Sequence, residues 1–187
     1  MPILFRNDDI LLVNPITGAM KNAIRRKTYE EWFYEIDEIF ERYNCPSTLA
    51  VLSEGIERYP QWIEYIKERK HRFNIQLHGE GHGYYMKMSE EEGYEILSRA
   101  TERIERTFDI KVTHWYVPFG RLFFPEWGPR VCRRMEIRFN SKGDSREFFQ
   151  HRFHYWNTRD TRNLKKLIAD NAHQAILKPW PPIHGNN

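Results

Sequence analysis

The sequence predicts an α/β fold, a (β/α) barrel of the TIM-like kind, distorted or incomplete, with about seven strands. Three observations carry that prediction. Short strand-like runs alternate with longer helical segments along the whole chain, which implies parallel pairing and right-handed crossovers. The roughly six or seven such units favour a closed or nearly closed barrel over an open sheet. Finally, Asp8-Asp9, His78 and Pro118-Phe119-Gly120 each follow the C-terminal end of a predicted strand. In a parallel barrel those ends share one rim, where active sites are built.

The elements follow in order. Pro2 to Asn7 reads as a strand leading into Asp8-Asp9, and Ile10 to Lys27 as a connection with a basic end from Lys21 to Lys27. A helix starts at Thr28, where Glu31 completes a capping box, with an apolar stripe of Trp32, Phe33, Ile36, Ile39, Phe40 and Tyr43. Ser47 to Leu52 is a short apolar strand, Pro60 to Lys70 a helix with Trp62, Ile63 and Ile66 on one side, and Arg72 to Leu77 the strand that delivers His78. Ser89 and Glu92 form a second capping box, and Leu97, Ala100, Ile104 and Phe108 space a long helix to about Thr107. Lys111 to Val117 reads as a strand, Pro125 to Met135 as a short helix, Glu136 to Phe139 as a strand, and Phe148 to Trp156 as an aromatic strand. Asp160 can cap a helix through Leu164, Leu167 and Ile168, and Gln174 to Lys178 is the last strand.

Residues 1–187 suit one domain, because the chain is long enough for one well-buried core and short for two. Hydrophobic residues at 40% exclude disorder as a description of the whole, and 29 basic against 26 acidic residues is too even to indicate a nucleic-acid partner. Cys45 and Cys132 lack metal-type spacing and read as free thiols. No apolar run is long enough to span a membrane, and the N-terminus carries no basic-then-apolar signal pattern, so the expected location is cytoplasmic.

The chemistry concentrates in His78-Gly79-Glu80-Gly81-His82. Two imidazoles and a carboxylate can hold one divalent metal, and three protein ligands leave a position for water. Glycines at 79, 81 and 83 let the backbone fold tightly enough for both rings to face one ion. Asp8 and Asp9 are adjacent, so they point to opposite faces of a straight strand and can serve one site only where the strand ends and bends. One carboxylate then binds the metal and the other takes a proton from water.

These residues resemble the NodB-type polysaccharide deacetylases of carbohydrate esterase family 4. Phe5-Arg6-Asn7-Asp8-Asp9 looks like the family's first motif, Pro46 to Leu52 like its second strand, and Asn74 to His82 like its metal motif. Met88-Ser89-Glu90-Glu91-Glu92 follows, and Trp115-Tyr116-Val117-Pro118-Phe119-Gly120 looks like its third motif. The resemblance runs in order from Phe5 to about Gly120. It implies a NodB-type barrel that removes N-acetyl groups from amino sugars of a glycan. It also implies zinc or a similar ion on Asp9, His78 and His82, Asp8 as general base, and Phe119 offering its backbone N–H to the oxyanion.

Two positions depart from the family pattern. Tyr116 stands where an arginine usually orients the base; Arg6, two positions before Asp8 on the same strand face, or Arg121 is the candidate replacement. Near the C-terminus, where a histidine usually protonates the leaving amine, Lys178 occupies the nearest matching position and His184 lies six residues on. His184 needs less tuning, because its ordinary pKa is already near neutral. Tyr116, Pro118, Arg121 and Trp156 are the candidate substrate contacts; Trp156 with Tyr155 either walls a sugar groove or belongs to a core strand, and His154 is a spare acid. The alternatives are a glycan-binding protein on this fold without turnover and a metal-dependent phosphoesterase.

Overall fold

The computed structural model describes residues 3–13, 29–119, 125–140, 149–153 and 168–170. Strand β1 (Ile3–Ile10) is followed by helix α1 (Tyr29–Arg42), β2 (Ser47–Leu52), α2 (Pro60–Glu68) and β3 (Phe73–Gly79). Then come α3 (Glu90–Phe108), β4 (His114–Tyr116), α4 (Gly128–Arg134), β5 (Arg138–Asn140) and β6 (Phe149–Phe153). All neighbouring strands pair in parallel, in the order β5-β4-β3-β2-β1-β6. A doubly wound sheet reverses its strand order at a switch point. Here the order follows the chain from β1 to β5, and β6 returns to pair with β1, which is the winding of a barrel. The fold is thus α/β with a parallel sheet, consistent with the distorted or incomplete barrel expected from the sequence.

Strand alternation sorts side chains into two layers. Leu49, Val51, Ile75, Leu77 and Trp115 belong to the apolar core, together with Phe33, Ile36 and Phe40 of α1, Trp62 and Ile66 of α2, and Leu97, Ile104 and Phe108 of α3. The alternate positions are polar and buried: Arg6, Thr48, Gln76, His78 and His114, with Tyr116 beside them. Within that layer Asn74 Nδ2 donates to Thr48 Oγ1 at 3.2 Å and Gln76 Nε2 donates to Asn74 Oδ1 at 2.7 Å. The apolar core therefore lies between sheet and helices, and the concave face is a polar interior. Strands β1 and β4 stand three strands apart, about 14 Å in a flat sheet. Nevertheless the Arg6 guanidinium carbon lies 4.3 Å from the Tyr116 ring centroid, the two long side chains meeting over that concave face.

Local signals set most element ends. Ser89 Oγ accepts the Glu92 N–H while the Glu92 carboxylate accepts the Ser89 N–H, so α3 begins at the predicted capping box. Pro60 occupies the first turn of α2, where its missing N–H costs nothing. Several predicted ends shift. Tyr43 leaves the α1 stripe and is 37% exposed, because α1 stops at Arg42 and the chain turns through Asn44 at φ 47°. Arg72 closes the turn Lys70–Arg72 ahead of β3, and Glu136 at φ 57° turns the chain, so that β5 starts only at Arg138. Strand β4 is shorter than Lys111 to Val117, and α4 shorter than Pro125 to Met135. The Thr28 cap, the Lys21 to Lys27 cluster and the strand at Gln174 to Lys178 lie outside the described residues. Cys45 and Cys132 are free and buried, and no described helix is long and apolar enough to cross a membrane.

Candidate metal centre

Both strands that carry the candidate ligands bulge where the ligands stand. Between β1 and β2, Asn7 pairs with Leu49 and Ile10 with Val51, so β1 spends one extra residue across Asp8 and Asp9. Asp9 is left-handed, at φ 62°. Between β2 and β3, Leu77 pairs with Val51 and Gly79 with Leu52, so His78 is extra as well. A bulge bends the strand and re-aims its side chains. The sequence reading requires a bend here if both aspartates are to serve one site, and the bulge supplies a bend.

Asp9, His78 and His82 converge. Asp9 Oδ1 lies 3.2 Å from His78 Nε2 and 3.1 Å from His82 Nε2, and one donor atom from each residue lies within 4.8 Å of the others. Metal–ligand bonds of about 2.0–2.1 Å at tetrahedral angles separate ligand atoms by about 3.3 Å, so the spacing fits a zinc-sized ion. The His78 ring is oriented to match: its Nδ1 lies 2.6 Å from the Tyr116 carbonyl, which turns Nε2 towards the site. Burial opposes ionisation of Asp9, but its hydrogen bonds with His78 and His82 outweigh that and hold the carboxyl well below its ordinary range. The donor set, two imidazoles and one carboxylate, is one that can hold a single divalent ion with a position left for water.

Asp8 takes no part in that triad. Arg6 Nη2 donates to Asp8 Oδ2 at 2.8 Å, and Arg6 Nε approaches Oδ1 at 2.5 Å. Burial would raise the Asp8 pKa, yet Arg6 and then His78 outweigh it, and the carboxyl sits below its ordinary value. An ionised carboxylate thus stands beside a metal ligand without being one.

The ligand loop is fixed by residues whose role the sequence did not disclose. Tyr85 Oη accepts the Glu80 N–H at 2.9 Å and donates to the Gly81 carbonyl at 3.0 Å. The Glu54 N–H donates to the Glu80 carbonyl at 2.8 Å, and Trp115 Nε1 donates to the His78 carbonyl at 3.1 Å. Gly79 sits at φ 153°, and a Cβ there would come within 2.2 Å of Tyr85 Oη; at Gly81 it would meet the Glu54 carboxylate at 2.7 Å. Gly79 is required, whereas a Cβ at Gly81 needs only the far end of the Glu54 side chain to move and one at Gly83 meets nothing within 4 Å, which corrects the expectation for the third. Aromatic residues far apart in sequence carry no local sign that their polar atoms will hold one loop.

Phe119 packs its ring against the edge of the site. Its ring meets His82 edge-on at 4.2 Å and stacks on Tyr84 at 4.8 Å. Its backbone lies at φ 60°, a conformation that costs a bulky residue of order 1–3 kcal/mol. A cavity of about 360 Å³ opens beside His82, with Glu54, Glu80, Tyr85 and Met88 on its wall. Pro118 is buried. Tyr116 is fully buried beneath Arg6, so its ring supports that side chain and presents no surface to a substrate, contrary to its expected role as a contact. Arg121, Trp156, Lys178 and His184 lie outside the described residues.

The sequence model for polysaccharide deacetylase matches residues 27–133. The chain belongs to the polysaccharide deacetylase family. No curated protein matches it. Among solved structures, this deacetylase-family chain is similar to a family 4 carbohydrate esterase from Bacillus anthracis, with TM-score 0.62 and 16% identity over 90% of this chain and 74% of that one. It is also similar to the peptidoglycan deacetylase PdaC from Bacillus subtilis, with TM-score 0.57 and 16% identity over 91% and 84% of the two chains. A CE4 family pseudoenzyme from Bacillus anthracis matches with TM-score 0.55 and 14% identity, over 74% of this chain and 42% of that one. The chain spans less than half of that pseudoenzyme's length. At these identities the likeness concerns the fold, which is the NodB-type deacetylase fold.

Proposed function

We propose that this chain is a metal-dependent hydrolase that removes N-acetyl groups from the amino sugars of a glycan, with one zinc or similar divalent ion on Asp9, His78 and His82. The observation that supports it best is Asp9 standing 3.1–3.2 Å from both imidazoles with the ionised, non-ligating Asp8 next to it. A metal held there supplies a Lewis acid that polarises the acetyl carbonyl and lowers the pKa of water towards neutrality. Asp8 accepts the proton of the attacking water on its carboxylate. The Phe119 backbone N–H donates to the developing oxyanion, from a backbone position that contacts with His82 and Tyr84 keep in place. His184, in preference to Lys178, protonates the departing amine, and Arg121 and Trp156 contact the sugar, whereas buried Pro118 supports the backbone of Phe119. The cavity beside His82 is within the size range of small-ligand sites and offers room for a sugar unit.

The test separates binding from turnover. His78→Ala loses metal and acetate release together, while Asp8→Asn keeps the metal and loses acetate release. An Asp8→Asn protein that releases acetate at the wild-type rate would sink the assignment of the base. A second reading, glycan binding without turnover, draws on Tyr116 standing in the usual arginine's place. It predicts oligosaccharide binding with no acetate released by the zinc-loaded wild type.

A further inference from the structure

We propose that Arg6 is the positioning residue for Asp8 and that Tyr116 is its seat, so that the carboxylate is oriented from within its own strand. This rests on the reading of Asp8 as the base. The two residues are separated by one position on β1, which puts both side chains on the concave face. Nη2 donates to Oδ2 at 2.8 Å, and Nε lies 2.5 Å from Oδ1 as an ion-pair contact outside hydrogen-bond geometry. The planar guanidinium therefore lies against both carboxylate oxygens at once, which a single-point ammonium cannot do.

The guanidinium is itself held from behind. It lies 4.3 Å from the Tyr116 ring centroid, and that ring stacks with His114 at 6.0 Å and 17°. Arg6 is 1% exposed and Tyr116 wholly buried. A cation this deep needs compensation; one carboxylate and the face of one ring provide it. An ion pair serving stability alone has no need to lie here. This one ends on the carboxylate next to Asp9, at the bulge that aims both aspartates.

The test uses the full zinc-loaded chain, with N-acetylglucosamine oligomers as probe and acetate as readout. Arg6→Lys keeps the charge and loses the two-point contact; kcat is expected to fall about 10- to 100-fold while KM and zinc affinity stay within twofold. Tyr116→Leu removes the seat and lowers kcat, and Tyr116→Phe, which keeps the ring, recovers most of that loss. An Arg6→Lys protein with kcat within twofold of wild type overturns the proposal. So does an Arg6→Lys loss that merely tracks lost zinc or lost folded protein, which would make the residue structural. If Asp8→Asn turns over at the wild-type rate, the base reading itself fails; loss in Asp8→Asn without loss in Arg6→Lys overturns the role of Arg6 alone.

Discussion

Tyr85→Phe removes one oxygen from a residue that never touches the proposed metal, and we expect it to weaken metal binding. The hydroxyl accepts from Glu80 and donates to Gly81, two of the three residues between His78 and His82, and the residue is 2% exposed. Phenylalanine keeps the ring and its edge contact with Trp115. Each lost hydrogen bond is worth about 1 kcal/mol net, and a stranded buried partner costs about 1–3 kcal/mol. The Gly81 carbonyl retains the Gly83 N–H at 2.9 Å, so the stranded group is the Glu80 N–H. The sum is about 2–4 kcal/mol. If about 2 kcal/mol of it falls on the order of the loop carrying His82, zinc affinity drops about 30-fold, within the range typical of changes to residues that support a metal ligand. Chelator competition measures the affinity, and urea denaturation of the metal-free protein measures the stability. A folded Tyr85→Phe protein with zinc affinity within twofold of wild type would refute the reasoning.

Further outcomes follow from the same contacts. Gly79→Ala places a Cβ 2.2 Å from Tyr85 Oη at φ 153° and should lose most zinc affinity, while Gly83→Ala, which meets open space, should leave it unchanged; equal effects at the two would contradict the loop geometry. Arg72→Ala leaves Asp37, whose side chain is 1% exposed, without its 3.2 Å ion-pair partner and should cost about 3 kcal/mol in urea denaturation. The exposed Arg134 to Glu91 pair should show no measurable cost when broken. Burial pushes the Cys45 and Cys132 thiols up to about 12, so at pH 8 the folded protein should resist a thiol-reactive dye that labels both cysteines after unfolding. Rapid labelling of either in the folded state would show that its burial is wrong.

What the sequence disclosed was what is local. The His78 and His82 spacing and the Ser89 capping box act within a few residues and stand where expected, whereas the adjacent aspartates, expected just past a strand ending at Asn7, lie inside β1 at its bulge. Strand β2 even keeps its predicted ends, because its apolar run is bounded by Pro46 and the turn at Ser53–Gly55. Ends decided by pairing or left-handed turns shifted, as at Tyr43, Arg72 and Glu136. The two-residue spacing of Arg6 and Asp8 was visible as a possibility, but the 2.8 Å contact between them was not. Tyr85, Glu54 and Trp115 read as ordinary side chains, since their roles depend on carbonyls and amides brought near only by the fold. The burial of Tyr116 was equally hidden, because it depends on Arg6 arriving from three strands away.

The most direct measurement takes zinc bound per chain and acetate released from an N-acetylated oligosaccharide on the same samples of wild type, His78→Ala and Asp8→Asn. The account predicts one metal per chain in wild type and Asp8→Asn, none in His78→Ala, and acetate from wild type alone. Acetate released at the full rate by wild type stripped of metal, or metal held by His78→Ala as tightly as by wild type, would contradict it.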